Sequence, residues 1–130
     1  ALIAKVEYLK LTDYKNFAII NAGMNDLMRP ALYDSWHEVK EIRKSDSDGR
    51  LYEIVGPVCE SADVLAKERE LNILQGDLIA FMDTGAYGSV MSSNYNSRLS
   101  VPEIIVDGSS AKIIKKRQSF EESIALEKNL

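Results

Sequence analysis

The run Gln75-Gly76-Asp77-Leu78-Ile79-Ala80-Phe81-Met82-Asp83-Thr84-Gly85-Ala86-Tyr87-Gly88 contains a turn, a strand and a loop in direct succession. Gln75-Gly76-Asp77 is typical of a turn, and the apolar residues from Leu78 to Met82 predict a buried strand. A loop bracketed by two glycines is then predicted from Thr84 to Gly88. A strand this short, with turn residues on both sides, is typical of a domain built mainly from β-strands.

Two Asp-Gly pairs outside this run predict β-hairpins, because Asp-Gly favours the tight turns that join antiparallel strands. The polar segment from Lys44 to Gly49 ends in the first pair. It would join a strand from His37 to Ile42 with a strand from Leu51 to Val55. The second pair, Asp107-Gly108, would join the two apolar segments that flank it.

Short helices are predicted at two places by residues that favour helix starts. Asp26 can cap a helix that continues to Tyr33, and Pro30 is tolerated in its first turn. Ser119 and Glu122 fit a capping box at the start of a C-terminal helix. Short strands, regular turns and helical caps together indicate a β-barrel or a β-sandwich, and periodicity leaves that choice open.

The composition fits one globular domain. The chain has 130 residues, of which 45% are hydrophobic and 28% charged. Its formal net charge is −4 with scattered Lys and Arg, which argues against nucleic acid or an anionic membrane as partner. No apolar run approaches the roughly 20 residues that span a bilayer. The start, Ala1-Leu2-Ile3-Ala4-Lys5, lacks a signal-peptide pattern and enters strand-like sequence directly, so we expect the chain to begin inside a longer protein.

Cysteine and histidine content bounds the possible metal sites. Cys59 and His37 are the single residues of their types, which excludes a disulfide framework and a Cys/His zinc site. Asp46 and Asp48 superficially resemble a calcium loop, but its first and last ligand positions would fall on a lysine and a valine. We therefore expect no metal site, and one cysteine fits a reducing, cytoplasmic location.

Three groups of residues have the chemistry of a binding or catalytic site, although each also has an ordinary structural explanation. Cys59-Glu60 joins a thiol to a carboxylate, but a lone cysteine is usually a small buried hydrophobic residue. Arg29 and Tyr33 would share a helix face and could clamp a carboxylate, or form a surface pair. Tyr87 lies between two glycines, which could present its phenol to a phosphate or simply serve a tight turn.

Four stretches recur together in a pattern that resembles one known family. They are Asn21-Ala22-Gly23-Met24-Asn25-Asp26-Leu27-Met28-Arg29-Pro30-Ala31-Leu32-Tyr33, Gly56-Pro57-Val58-Cys59-Glu60-Ser61-Ala62-Asp63, Gly76-Asp77-Leu78 through Asp83-Thr84-Gly85-Ala86-Tyr87-Gly88, and Met91-Ser92-Ser93-Asn94-Tyr95-Asn96-Ser97-Arg98. In order and spacing they resemble the C-terminal part of bacterial diaminopimelate decarboxylases. One departure is Ala62, where the family pattern has a glycine. Alanine would be slightly strained there if that turn needs a positive φ.

The resemblance implies a fold-type III enzyme, similar to alanine racemase and eukaryotic ornithine decarboxylase, which pairs a TIM-like barrel with a C-terminal β-barrel. Residues 1–130 would then be a single C-terminal domain with a mainly β, Greek-key-type barrel and short helices. The TIM-like barrel carries the Schiff-base lysine for pyridoxal 5'-phosphate. It needs roughly 250 residues, so it is absent from this chain.

The resemblance also implies roles for five residues. Arg29 and Tyr33 would bind the distal carboxylate of the substrate, and Cys59 would donate a proton to the α-carbon. Glu60 would bind the distal ammonium of the substrate. Tyr87 would contact the cofactor phosphate and the substrate.

The activity implied by the resemblance is the conversion of meso-2,6-diaminopimelate into L-lysine and CO2. The implied partners are the amino-acid substrate, the N-terminal TIM-like barrel and a second copy of the protein. In such a homodimer, Cys59 and Glu60 would serve the active site of the other subunit. Two alternatives stay open, namely a related decarboxylase acting on arginine, ornithine or carboxynorspermidine, and a non-catalytic barrel that serves as a binding module.

Overall fold

The computed structural model describes residues 1–44 and 48–127 and divides the chain into two compact units, Ala1–Ser92 and the residues from Ser93 onward. The first unit is built mainly from β-strands, with one short α-helix and a 3-10 turn. Its elements are β1 (Leu2–Lys10), β2 (Asn16–Ile20), α1 (Arg29–Tyr33), β3 (Val39–Glu41), β4 (Arg50–Val55), β5 (Val64–Leu71), β6 (Leu78–Phe81) and the 3-10 turn Ser89–Met91.

The strands of the first unit form one sheet in the order β3-β6-β1-β2-β4-β5. Neighbouring strands are antiparallel except β2 and β4, which run parallel. The two edge strands approach each other, because the carboxylate of Glu41 in β3 accepts a hydrogen bond from the backbone N–H of Asn72, directly after β5. The sheet is therefore nearly closed, and the predicted mainly β, barrel-like fold is confirmed.

The most deeply buried side chains of β1, β2 and β6 alternate along these strands, as the two-residue period of a strand requires. Phe81 of β6 is fully buried, between its register partners Leu2 of β1 and Val39 of β3. Burying one such side chain stabilises the fold by about 1.5–3 kcal/mol, so a register shift of one residue would be costly. The other fully or almost fully buried side chains of the strands include Ala4, Val6, Ala18, Ile20, Ile54, Leu65 and Ile79.

The turn before β6 is held by a carboxylate that contacts both backbone and side chain. Asp77 accepts a hydrogen bond from the backbone N–H of Leu74 at 2.7 Å. Arg43 binds the two carboxylate oxygens of Asp77 through Nε at 3.1 Å and Nη2 at 2.7 Å. These hydrogen bonds from Arg43 lower the pKa of Asp77, since they favour its charged form. Gly76 adopts a φ of +94°, which suits glycine in this turn.

The hairpin predicted around Asp48-Gly49 is wrong, although strands are present on both sides of it. β3 pairs with β6, and β4 pairs with β2 and β5. The Asp-Gly signal is local, whereas the choice of strand partner depends on which face of each strand is buried. Residues 45–47 of the predicted turn, including Asp46 of the calcium-like pattern, lie outside the described residues.

The helix predicted from Asp26 to Tyr33 is confirmed in its second half only, because α1 begins at Arg29. The Asp26 carboxylate accepts a hydrogen bond from the backbone N–H of Gly23 at 2.9 Å, and the Asp26 N–H donates to the Gly23 carbonyl at 2.9 Å. Asp26 therefore closes a turn ahead of the helix. Pro30 lies in the first turn of α1, as predicted.

The second unit contains the hairpin predicted around Asp107-Gly108. β7 (Glu103–Asp107) pairs antiparallel with β8 (Ser110–Lys115), and Gly108 has a φ of +55° in the turn between them. A 3-10 turn at Tyr95–Ser97 precedes the hairpin, and α2 (Phe120–Ser123) follows it. Ser119 and Glu122 form the predicted capping box, with N–H to oxygen distances of 3.2 and 2.8 Å. That residues 1–130 form one domain stays a prediction.

Candidate functional site

The five residues proposed for a site lie in three segments of the first unit. Arg29 and Tyr33 are in α1, which follows the Asp26 turn (residues 21–28). Cys59 and Glu60 are in the Cys59 loop (residues 56–63), between β4 and β5. Tyr87 is in the Tyr87 loop (residues 83–88), which follows β6.

Helix α1 presents an arginine and a phenol four residues apart, which places them on the same side of the helix. Arg29 is half-buried, and Tyr33 is exposed. The helix ends at Asp34, which has a left-handed φ of 52° and forms an ion pair with Lys67 of β5 at 3.1 Å. Arg29 and Tyr33 therefore sit on a short helix that is tied to β5 at its C-terminal end.

The Cys59 loop turns its central residues outward. Its ends are joined by the backbone N–H of Gly56, which donates to the carbonyl of Asp63 at 2.9 Å. The Asp63 N–H donates to the Glu60 carbonyl at 3.1 Å, closing a turn inside the loop. Val58 is buried, whereas the next two residues, Cys59 and Glu60, are exposed. The buried valine therefore fixes the loop while the thiol and the carboxylate face away from the core.

The side chain of Asp63 connects the Cys59 loop to the Asp26 turn. It is 2% exposed, and its two oxygens accept hydrogen bonds from the backbone N–H groups of Met24 at 2.6 Å and Val58 at 2.7 Å. A Cβ atom on Gly56 would lie 2.3 Å from one of these oxygens. Glycine is therefore required at position 56, because any side chain would displace the carboxylate. The loop that carries Cys59 and the turn that precedes Arg29 are thus joined by Asp63.

The Tyr87 loop has a constrained backbone. Asp83 and Tyr87 have positive φ values of 55° and 60°, a conformation that costs roughly 1–3 kcal/mol for a residue other than glycine. A Cβ atom on Gly88 would lie 2.0 Å from the carbonyl oxygen of Thr84, so the loop closes on itself too tightly for a side chain there. The phenol of Tyr87 is 62% exposed. Strain that serves to present an exposed polar group is typical of a binding loop.

His37 links the start of the Tyr87 loop to the segment that follows α1. The side chain is 3% exposed, and its Nδ1 donates a hydrogen bond to the carbonyl of Met82 at 2.9 Å. The Met82 N–H donates to the Glu38 carbonyl at 2.8 Å. His37 Nε2 is buried and has no hydrogen-bond partner among the described residues. The Tyr87 loop therefore starts beside the chain that leaves α1.

A separate cleft of about 180 Å³ lies between α1 and β5. Its walls include Trp36 and Arg69, whose guanidinium carbon lies 4.9 Å from the centre of the Trp36 ring. Burial lowers the pKa of Arg69, because water stabilises its charge less well there. Its lining residues, Pro30, Asp34, Ser35, Trp36, Val64, Leu65, Ala66, Lys67 and Arg69, include none of the five proposed site residues.

Sequence reasoning missed the residues that hold the site together. Asp63 contacts Met24, which is 39 positions away in the chain, and His37 contacts Met82, which is 45 positions away. Local sequence patterns carry no signal for such contacts. The Gly56-Pro57 pair can be recognised in the sequence, but it predicts only that the preceding strand ends or bends there. Ala62 does not have a positive φ, so the strain expected at that position is absent.

The described part of the chain contains no group of three or more His, Cys, Asp or Glu side chains that could hold a metal ion. Among residues 1–44 and 48–127, no helix is long and apolar enough to cross a membrane.

Comparison with known proteins gives matches over nearly all of the chain. Residues 1–85 match the family described as "Pyridoxal-dependent decarboxylase, C-terminal sheet domain". The diaminopimelate decarboxylase of Pseudomonas aeruginosa is 49% identical over 124 residues, which are 95% of this chain and 30% of that protein.

Solved structures agree with the sequence matches. The crystal structure of AQ1208 from Aquifex aeolicus has a TM-score of 0.94 and 37% identity, covering 98% of this chain and 32% of that one. Diaminopimelate decarboxylase from Helicobacter pylori, complexed with L-lysine, has a TM-score of 0.89 and 41% identity, covering 98% and 31%. The chain therefore spans about a third of the length of the relatives it matches.

Proposed function

The chain belongs to the family of pyridoxal-dependent decarboxylases, as their C-terminal sheet domain, and on this basis we propose that the full-length protein is a diaminopimelate decarboxylase. It converts meso-2,6-diaminopimelate into L-lysine and CO2. The observation that carries the proposal is the 49% identity to a diaminopimelate decarboxylase across 95% of the chain. The L-lysine bound in a relative of 41% identity supports it, since L-lysine is the proposed product.

Pyridoxal 5'-phosphate, when bound, supplies the electron sink that decarboxylation of an amino acid requires. The Tyr87 loop fits a contact with its phosphate, because the loop is constrained and its phenol is exposed and can donate a hydrogen bond. Tyr87 would therefore hold the phosphate and border the substrate. The lysine that binds the cofactor covalently belongs to a TIM-like barrel domain elsewhere in the full-length protein.

The distal end of diaminopimelate is an amino acid zwitterion, and this chain offers groups of both signs for it. Arg29 can bind a carboxylate through two N–H groups, and the Tyr33 hydroxyl can donate a further hydrogen bond. Glu60 would accept hydrogen bonds from the distal ammonium.

Cys59 would donate the proton that replaces the lost carboxylate on the α-carbon. A thiol is mostly protonated at neutral pH and can act as a general acid. The Cys59 side chain is exposed, as a group that must reach a substrate outside this chain has to be.

The site would be completed by surfaces beyond this chain. Cys59, Glu60, Tyr33 and Tyr87 are all exposed, whereas decarboxylation chemistry requires a site from which water is largely excluded. The chain also spans only about 30% of its relatives' length, which leaves a large part of the protein to cover these groups. We propose that the covering surfaces are the TIM-like barrel and a second subunit, with Cys59 and Glu60 serving the second subunit's site.

The proposed function is tested with the full-length protein supplied with pyridoxal 5'-phosphate. We expect it to release CO2 from meso-diaminopimelate and to form L-lysine in equal amount. A matched sample without the cofactor should be inactive until the cofactor is restored. Absence of CO2 release from a folded, cofactor-loaded protein would contradict the proposal.

A further inference from the structure

We infer that Asp63 is a positioning residue that couples the substrate-binding segment to the proton-donor segment, an inference that rests on the function proposed above. The Asp26 turn leads into Arg29 and Tyr33, and the Cys59 loop carries Cys59 and Glu60. One buried carboxylate accepts a hydrogen bond from each of these segments.

The contacts made by Asp63 reach the backbone next to Cys59 and the turn that precedes Arg29. Val58, whose N–H donates to Asp63 at 2.7 Å, directly precedes Cys59. Met24, whose N–H donates at 2.6 Å, lies five positions before Arg29 in a turn that Asp26 closes. Any displacement of the Asp63 carboxylate is therefore transmitted to both segments.

The backbone at two glycines packs closely around the Asp63 carboxylate, which leaves that carboxylate little room to move. A Cβ atom on Gly56 would lie 2.3 Å from Asp63 Oδ2, so position 56 has to lack a side chain. A Cβ atom on Gly23 would lie 3.0 Å from Asn25 Oδ1, 3.2 Å from a methyl carbon of Val58 and 3.4 Å from Asp63 Oδ1. The two segments therefore meet at a joint where both backbones approach the carboxylate closely.

The negative charge of Asp63 strengthens its hydrogen bonds to the two segments, in addition to the fit of its side chain. Hydrogen bonds from N–H groups to a carboxylate are about twice as strong as those to a neutral acceptor. In Asp63→Asn, one oxygen becomes an NH2 group that cannot accept a hydrogen bond from Met24 or Val58. The variant keeps the size of the side chain, but it breaks one of these two hydrogen bonds and removes the charge that strengthens the other.

The coupling is tested by hydrogen exchange on the full-length protein, followed by mass spectrometry of the peptides that contain residues 21–28 and 56–63. In Asp63→Asn, exchange should become faster by about tenfold or more in both segments, the scale of a lost charge-assisted hydrogen bond. The matched control is Asp77→Asn, because Asp77 also accepts from a backbone N–H but lies at the other end of β6 from the Tyr87 loop. This control should leave both segments unchanged.

Kinetic constants separate a positioning role from a general loss of stability. Asp63→Asn should lower kcat/KM by roughly 10–100-fold, the scale expected when a catalytic group is misplaced by about 1 Å. Both constants should change, with kcat falling because Cys59 moves and KM rising because Arg29 moves. In a Cys59→Ala background, Asp63→Asn should lower kcat by a smaller factor, since the group that it positions is gone.

A second variant keeps the test decisive if Asp63→Asn does not fold. Gly23→Ala leaves the Asp63 charge intact and inserts a methyl group at the same joint. It should accelerate exchange in both segments and shift kcat and KM in the same directions by smaller factors.

Two results would overturn the inference: exchange that accelerates in only one segment or in neither, or kinetic constants that match those of Asp77→Asn. Hydrogen exchange does not depend on catalysis. A protein that showed the coupled exchange but released no CO2 would therefore contradict the proposed function, while the inference that Asp63 couples the two segments would still hold.

Discussion

Cys59 illustrates how one residue can differ from the ordinary behaviour of its type. Lone cysteines are usually buried, yet this thiol is exposed because the preceding valine is the residue that enters the core. Its position is fixed by backbone hydrogen bonds within the loop and by Asp63, which holds the N–H of Val58. An exposed thiol on a fixed loop is suited to donate a proton to a group that docks from outside.

Replacing Cys59 by alanine in the full-length protein should lower kcat by about 10²–10⁴-fold, the usual contribution of general acid catalysis. KM should change little, because the proton donor acts in the chemical steps. Ser61→Ala is the matched control, since Ser61 is an exposed residue of the same loop without a proposed role. Near-normal turnover in Cys59→Ala, measured by CO2 release, would show that the thiol is not the proton donor.

At the scale of elements, the loops between strands are shaped by glycines that are required for different reasons. Gly56 leaves space for the Asp63 carboxylate, and Gly88 leaves space for the carbonyl of Thr84. Gly85 lies in the Tyr87 loop but has nothing within 4 Å of the position where a Cβ would stand. Only the first two glycines are therefore needed for packing.

Gly56→Ala should lower the free energy of unfolding by about 1–3 kcal/mol, the cost of forcing extra volume into a packed site. Gly85→Ala should change it by less than about 0.5 kcal/mol, because the methyl group would enter open space. The measurement is the midpoint of denaturant unfolding of the full-length protein and of the two variants. Equal midpoints for the two variants would contradict the close approach at Gly56.

Local patterns predicted the elements well and their partners less well. The strand after Gly76, the Asp107-Gly108 hairpin and the Ser119 capping box depend on neighbouring residues and were confirmed. The pairing of β3 with β6 depends on burial across the sheet, and no local signal near Asp48-Gly49 carries that information. The joint at Asp63 was missed for the same reason, since it connects residues 39 positions apart.

The site residues were found only through the resemblance to a family. From the residues alone, the structural explanation was favoured, with Cys59 as a buried hydrophobic residue and Arg29 with Tyr33 as an ordinary surface pair. The structure agrees with a functional explanation for Cys59 in one respect, because the thiol is exposed. The roles of Arg29, Tyr33, Glu60 and Tyr87 stay predictions, and Arg29→Ala tests the first of them.

For the whole molecule, the central feature is an incomplete site. The chain spans about a third of the length of its relatives, and its candidate groups face outward. In the proposed function, the groups that it offers would bind a zwitterion, contact a phosphate and donate a proton. A cofactor lysine and walls that exclude water would have to come from the rest of the protein and from a second subunit.

Shared sites in a homodimer predict recovery of activity when two inactive variants are mixed. One variant carries Cys59→Ala, and the other lacks the cofactor lysine in the rest of the protein. After subunit exchange, each mixed two-fold dimer has one site with both groups intact, so roughly a quarter of the wild-type activity should return. Exchange of subunits is verified with differently tagged copies. No recovery in samples with proven mixed dimers would contradict shared sites.

The proposed substrate is tested most directly by comparing kcat/KM for CO2 release from meso-diaminopimelate, ornithine, arginine and lysine by the full-length protein and by Arg29→Ala. We expect a strong preference for diaminopimelate, because the other three substrates lack a distal carboxylate and would leave the Arg29 charge unpaired. Arg29→Ala should lower kcat/KM for diaminopimelate by an amount that corresponds to a few kcal/mol of transition-state stabilisation, about the scale of a lost charge-assisted contact. Comparable rates with ornithine, or indifference of the diaminopimelate reaction to Arg29→Ala, would contradict the assignment.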